Sequence, residues 1–167
     1  LEGVLMETKK AEGAKFLDGL LPSKGNPSIE FQGGAHLDDT GKANLAKAKE
    51  FLSRAVSDKW GKMPVSIEKN FTGRASQGFG KIFSDPNEAS WVFVHEYGHL
   101  IEEQNANTLG TLSRAFAMQA VADAGEKPKH PGGNYESNEV MAKDWFQNPY
   151  VGKFYNHNAS EVLSMGV

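Results

Sequence analysis

Trp91-Val92-Phe93-Val94-His95-Glu96-Tyr97-Gly98-His99-Leu100-Ile101 is the stretch on which the reading of this chain turns. Two histidines stand four residues apart, with a glutamate directly after the first. On an α-helix, positions i and i+4 lie one above the other on the same face. Both imidazoles can then reach one metal ion, while Glu96 leans beside it one position round. Such a spacing arises by chance in roughly one chain of a hundred at this composition, so the flanks must carry weight. Apolar residues run into and out of the motif, and a dry wall behind a metal strengthens its electrostatics. Ser84 or Asp85 is the expected helix cap, Pro86 fits the first turn, and Glu88 lies near the positive end of the dipole. The rival reading is a buried amphipathic helix in which the two histidines align without purpose.

The arrangement is the H-E-x-x-H of zinc peptidases, in which two His bind the ion and the Glu is general base toward a water. A catalytic zinc site needs a third protein ligand and an open position. The extended form with a further Gly and His is excluded, because Glu102 and Asn105 occupy those positions. The candidates are His130, His157, Glu136, Glu139, Asp144 and Glu161. Glu102 and Glu103, past the metal on the motif helix, read as surface charges. His130 sits in a Pro/Gly loop without apolar support. Glu161 follows a cap, Asn158 or Ser160, and precedes Val162, Leu163 and Met165. A carboxylate among such residues needs a partner when buried, and a metal is one; complementing the helix dipole is the alternative.

With 167 residues the chain is expected to form one domain able to build its own core. Its 39% hydrophobic and 23% charged residues are ordinary for a globular protein. There is no cysteine, which excludes disulfides and thiolate metal sites. No apolar run is long enough to cross a bilayer and no signal peptide is visible. The chain opens Leu1-Glu2 without methionine, as a piece cut from a longer polypeptide would. The compartment stays open among virion, cytoplasm and secretion as part of a larger protein. A net charge of −3 argues against a general nucleic-acid partner. The excess is local: residues 86–167 hold 5 Lys+Arg against 10 Asp+Glu, whereas residues 1–85 hold 13 against 11. The half carrying the motif is acidic, as a carboxylate-rich site or a solvated acidic face would make it.

Along the chain, residues 1–26 read as a lead-in closed by the turn cluster Leu21 to Pro27. Ser28 to Gln32 and Val65 to Lys69 alternate as half-buried strands do. Between them a helix is expected from about Asp38 or Thr40 to Trp60, with Leu45, Ala48, Phe51, Leu52, Ala55 and Val56 as its apolar stripe. Gly73, Gly78 and Gly80 punctuate a hairpin before the motif helix. A second helix is expected from Leu109 to Ala124, burying Leu112, Phe116, Ala117, Ala120 and Val121, and a short one over Glu139 to Phe146. The expected organisation is a single α+β domain: lead-in 1–26, helix and sheet part 27–85, metal-binding helical part 86–167.

HEYGH followed some sixty residues later by Asn-Ala-Ser-Glu-Val-Leu-Ser-Met (158–165) resembles the gluzincins, metallopeptidases whose third ligand is a Glu on a downstream helix. The resemblance is to the branch containing the anthrax lethal factor protease domain and phage or prophage metallopeptidase domains, and it covers roughly Ser66 to Val167. It implies a zincin-like fold: a small mixed sheet with an edge hairpin packed on helices, then a helical part carrying the third ligand. It implies one Zn²⁺ on His95, His99 and Glu161, Glu96 as catalytic base, and a protein or peptide substrate, with no membrane partner. The branch places a Tyr shortly before the ligand Glu to steady the oxyanion. Tyr155 matches that position, with Tyr150 or a packing role as alternatives. Two other functional classes remain: a zinc-binding structural module of a virion or secreted machine, and a protease effector selective for one protein.

Overall fold

Alternation in Val65-Ser66-Ile67-Glu68-Lys69 puts Val65 and Ile67 on one face of an extended segment, and both are buried. That segment is the centre of the fold. The computed structural model describes residues 29–57, 59–60, 63–71, 73–125, 129–130, 132–133, 139–141, 153–155, 161–162 and 164. The lead-in 1–26, Tyr150, His157, Glu136 and Asp144 lie outside the described residues. Strand β1 (Phe31–Gly33) runs parallel to β2 (Val65–Lys69), with Phe31 opposite Val65. On the far side of β2 lies β4 (Lys81–Ser84), also parallel, with Ile67 opposite Ile82. Strand β3 (Ser76–Gly78) pairs antiparallel with β4 and forms the outer edge, so the order is β1-β2-β4-β3. Phe79 (φ 54°) and Gly80 (φ 75°) make the two-residue turn of this hairpin.

A parallel pair requires a crossover, and helix α1 (Asp39–Ala55) supplies it between β1 and β2. The Asp38 carboxylate caps its start by accepting from the Gly41 backbone N–H at 2.8 Å. The apolar stripe is as expected, with Ala48, Leu52 and Val56 buried and Leu45 and Phe51 packed against the core. The helix stops at Ala55 rather than Trp60. Val56 turns extended (φ −101°, ψ 126°) while its N–H still donates to the Leu52 carbonyl at 2.8 Å, and its side chain stays in the core.

Helix α2 (Ser90–Gln104) carries the motif. Its start differs from expectation. Ser84 is the buried last residue of β4, and helix α2 begins after Ala89 without a side-chain cap. The intervening residues serve another purpose: the Pro86 carbonyl accepts from the Asp38 N–H at 2.9 Å, and Asn44 donates to the Glu88 carbonyl at 3.0 Å. The link into α2 is thereby tied to the first turns of α1. Phe93, Tyr97, Leu100 and Ile101 form one stripe of α2 and share the core with Leu52, Ile67 and Ile82. Fully burying each such side chain contributes about 1.5–3 kcal/mol.

A π-turn over Ala106–Gly110 leads into helix α3 (Thr111–Ala124). This helix is rotated from the expected face. Ser113 and Ala117 are buried, whereas Leu112 and Phe116 are 67% and 58% exposed. The reason is polar: the Ser113 hydroxyl donates to the buried Glu102 carboxylate of α2, and that bond turns the 113/117 side inward. The expected helix over Glu139 to Phe146 is corrected for Glu139–Met141, while residues 142–146 lie outside the described residues. Strand β5 (Glu139–Met141) pairs antiparallel with β6 (Lys153–Tyr155), and Met141 exchanges two 2.8 Å backbone bonds with Lys129. Three residues carry too little periodicity to separate helix from strand, and tertiary pairing decides. Among the described residues the chain is therefore mixed α+β, with a small mixed sheet and three helices. Among the described residues no helix is long and apolar enough to cross a membrane.

Gly41 marks the tightest helix–loop contact, since a Cβ there would lie 2.1 Å from the Pro86 carbonyl oxygen. Ala normally favours a helix over Gly by about 1 kcal/mol. Here overpacking outweighs propensity, and Gly41→Ala is expected to destabilise by about 1–3 kcal/mol, a loss of roughly 3–8 °C in Tm. Thermal unfolding followed by circular dichroism reads this directly; a variant as stable as the parent would contradict the close approach.

Candidate metal site

Two faces of α2 are buried for different reasons. Residues 93, 97, 100 and 101 enter the core, while 95, 99 and 102, at steps of four and three, face away from it. Against this second face lies the segment that carries Glu161 and Ser164, both buried. Gly98 lets it come close: a Cβ at Gly98 would sit 2.6 Å from the Ser164 Cα. Glu161 is wholly buried, and its Oε2 lies 3.5 Å from His95 Nε2 and 3.2 Å from His99 Nε2. The two imidazoles stand edge to face with centroids 4.8 Å apart. Ligands about 2.0–2.1 Å from one ion at tetrahedral angles are about 3.4 Å from each other, which the two Glu161–imidazole separations match. His95, His99 and Glu161 thus form a group that could hold a metal ion.

The surroundings are as specific as the donors. Ser164 Oγ donates to Glu161 Oε2 at 2.7 Å. Glu102 Oε2 lies 3.9 Å from His99 Nδ1, and its other oxygen accepts from Ser113. At that distance the carboxylate acts on the ring by its charge, favouring the protonated imidazole. The expectation that Glu102 is a surface charge is therefore corrected, since it is 3% exposed; Glu103 is exposed as expected. The helical step from His99 to Glu102 carried this signal, as 95, 99 and 102 share one face. Glu96 is buried beside the group, and the charges of His99 and Glu161 act on it.

Of the other candidates, His130 is exposed and its Nδ1 accepts from the Gly132 N–H, away from the group. Glu139 is buried but turned onto Lys153, with 2.6 Å between Oε1 and Nζ. Tyr155 has its backbone in β6 opposite Glu139, and its side chain lies outside what the structure describes. Every buried carboxylate or ammonium among the described residues belongs to this one cluster: Glu96, Glu102, Glu139, Glu161 and Lys153. Four carboxylates against one ammonium leave an excess of negative charge, which suits a cation.

Comparison with known proteins finds no matching family model, no matching curated protein and no matching solved structure.

Burial pushes the Glu96 carboxyl up to about 7, against the opposing pull of His99. Burial lowers His95, and the Glu161 charge only partly counters it. Burial would lower His99 as well, but the Glu102 and Glu161 carboxylates outweigh it and raise His99 to about 9. On the core side of the helix, burial raises Tyr97 to about 12, and its ring meets Phe31 edge-on at 5.8 Å.

Two predictions arise. Gly98→Ala should push the Ser164 segment off α2 and carry Glu161 from the imidazoles, weakening metal binding at least 10-fold; equilibrium dialysis against zinc measures it, and parental affinity would contradict the contact. In the metal-free protein, His99 holds its proton more tightly when folded (about 9) than at its ordinary value of 6.5. Its stabilisation is therefore fully present below pH 6.5 and lost as pH rises to 9. The chelator-treated protein should lose on the order of 5 °C in Tm across that window, and His99→Gln should flatten the slope.

Proposed function

We propose that this chain is a gluzincin-type zinc metallopeptidase that hydrolyses peptide bonds in protein substrates. The observation that carries the reading is the meeting of His95 and His99, one helical turn apart, with the wholly buried Glu161 from sixty-two residues downstream of His99. In a chain without cysteine, two imidazoles and one carboxylate are a donor set of catalytic zinc sites. The resemblance of HEYGH and the Glu161 segment to the lethal factor branch, and the zincin-like architecture it implies, agree with a small mixed sheet that ends in an edge strand touching the motif helix.

Zinc held by these three side chains would lower the pKa of a water and polarise the scissile carbonyl. Glu96 receives the proton of the attacking water and returns it to the leaving nitrogen. Buried beside the imidazoles, the Glu96 carboxylate stands where it can take that proton and hand it on. Glu102 and Ser164 hold the ligands still by hydrogen bonds and charge. Tyr155 is the proposed donor to the oxyanion. Among the described residues β3 is the edge of its sheet, and its outer backbone groups are those with which an extended peptide would pair.

The decisive comparison is zinc content and cleavage of a broad peptide library by the parent, Glu96→Gln and His99→Ala. Glu96→Gln is expected to keep about one zinc per chain while cleavage falls by about 10²–10⁴, and His99→Ala to lose both. A Glu96→Gln variant cutting at the parental rate would refute the assignment. Zinc bound by the parent without any cleavage would favour the structural-module reading.

A further inference from the structure

Lys153 is a lysine with no exposed side-chain surface, and neither the proposed chemistry nor the sequence motifs use it. It lies on β6 opposite Met141. Its Nζ is 2.6 Å from Glu139 Oε1 and 3.8 Å from Glu161 Oε1. On the outer side of Glu139 is Arg74, half exposed in the loop before β3, with Nη1 3.9 Å from the same Oε1. Charges of alternating sign therefore run Arg74, Glu139, Lys153, Glu161, from the sheet edge to the ligand group.

The two oxygens of Glu161 face different neighbours. Oε2 faces both imidazoles and accepts from Ser164, while Oε1 is turned toward Lys153. A carboxylate free to rotate can offer a metal both oxygens and fill a position that water or substrate needs. We infer that Lys153, seated on Glu139, is a positioning residue that holds Glu161 Oε1 away so that Oε2 alone serves the metal. Glu139 is part of the device. An ammonium beside a dication repels it, and the close Glu139 carboxylate offsets that charge while leaving the ammonium able to hold Oε1. This inference rests on the metal-binding reading above.

The test keeps net charge constant. Lys153→Met with Glu139→Gln removes one cation and one anion together, so altered binding reports the lost hold on Glu161 rather than a changed charge. Zinc affinity by chelator competition and the visible spectrum of the Co²⁺-substituted protein are compared with the parent. The double variant is expected to bind zinc 10–100-fold more weakly, with a weaker Co²⁺ absorption as the second oxygen raises the coordination number. A folded double variant with parental affinity and spectrum would overturn the inference while leaving the metal site standing. A parent that binds neither zinc nor cobalt would overturn the metal reading, and this inference with it. Should the double variant fail to fold, X-ray absorption on the zinc-loaded parent decides: one Glu161 oxygen in the coordination sphere is expected, and two would overturn the role of Lys153.

Discussion

A carboxylate with no access to water, facing two imidazoles at 3.5 and 3.2 Å, is the constraint around which the rest of this molecule is arranged. An isolated buried charge would be strongly destabilising. Glu161 avoids that cost through neighbours drawn from separate parts of the chain: His95 and His99 from α2, Ser164 from its own segment and Lys153 from β6. In the metal-free state the raised affinities of His99 and Glu96 for protons supply positive charge to the same place. Metal binding and protonation are thus competing solutions to one electrostatic problem.

Helix α2 transmits the requirement to the fold. Its 93/97/100/101 stripe is anchored in the apolar core, so the opposite stripe cannot shift without disturbing Leu52, Ile67 and Ile82. The anchoring makes the imidazoles a rigid pair. The other partners are then brought to them: Gly98 admits the Ser164 segment, and the Glu102–Ser113 bond sets the roll of α3. With that bond made, Ser113 and Ala117 face inward and Leu112 and Phe116 remain outside. The loop from β4 into α2 is held by α1 through Pro86 and Asn44, which joins the sheet, the crossover helix and the motif helix in one unit.

Local pattern was readable where one physical period dominates. The α1 stripe, the alternation of β2, the hairpin turn and the i, i+4 histidines each follow from short-range geometry, and each stands as read. Readings failed where a distant partner decides. Ser84 is a strand residue rather than a cap because β4 pairs with β2. Glu139 to Met141 is a strand because Lys129 and β6 lie on either side of it. Glu102 shares the histidine face by its spacing even though a charged side chain near a helix end is ordinarily solvated, and Lys153 offers no local sign of burial at all.

By itself the order of residues determined that two imidazoles and a glutamate share a helix, that a metal site must use nitrogen and oxygen donors, and that sheet and helices mix in one chain. Those conclusions depend on backbone periodicity and side-chain chemistry, which are local. The sequence favoured Glu161 among six candidates, and the tertiary structure decided between it and the two others that lie among the described residues, Glu139 and His130. It placed Glu161 beside the histidines, turned Glu139 onto Lys153 and left His130 outside. Convergence of three side chains on one point depends on how distant segments pack, and there burial and charge compensation act between residues that no sequence spacing relates.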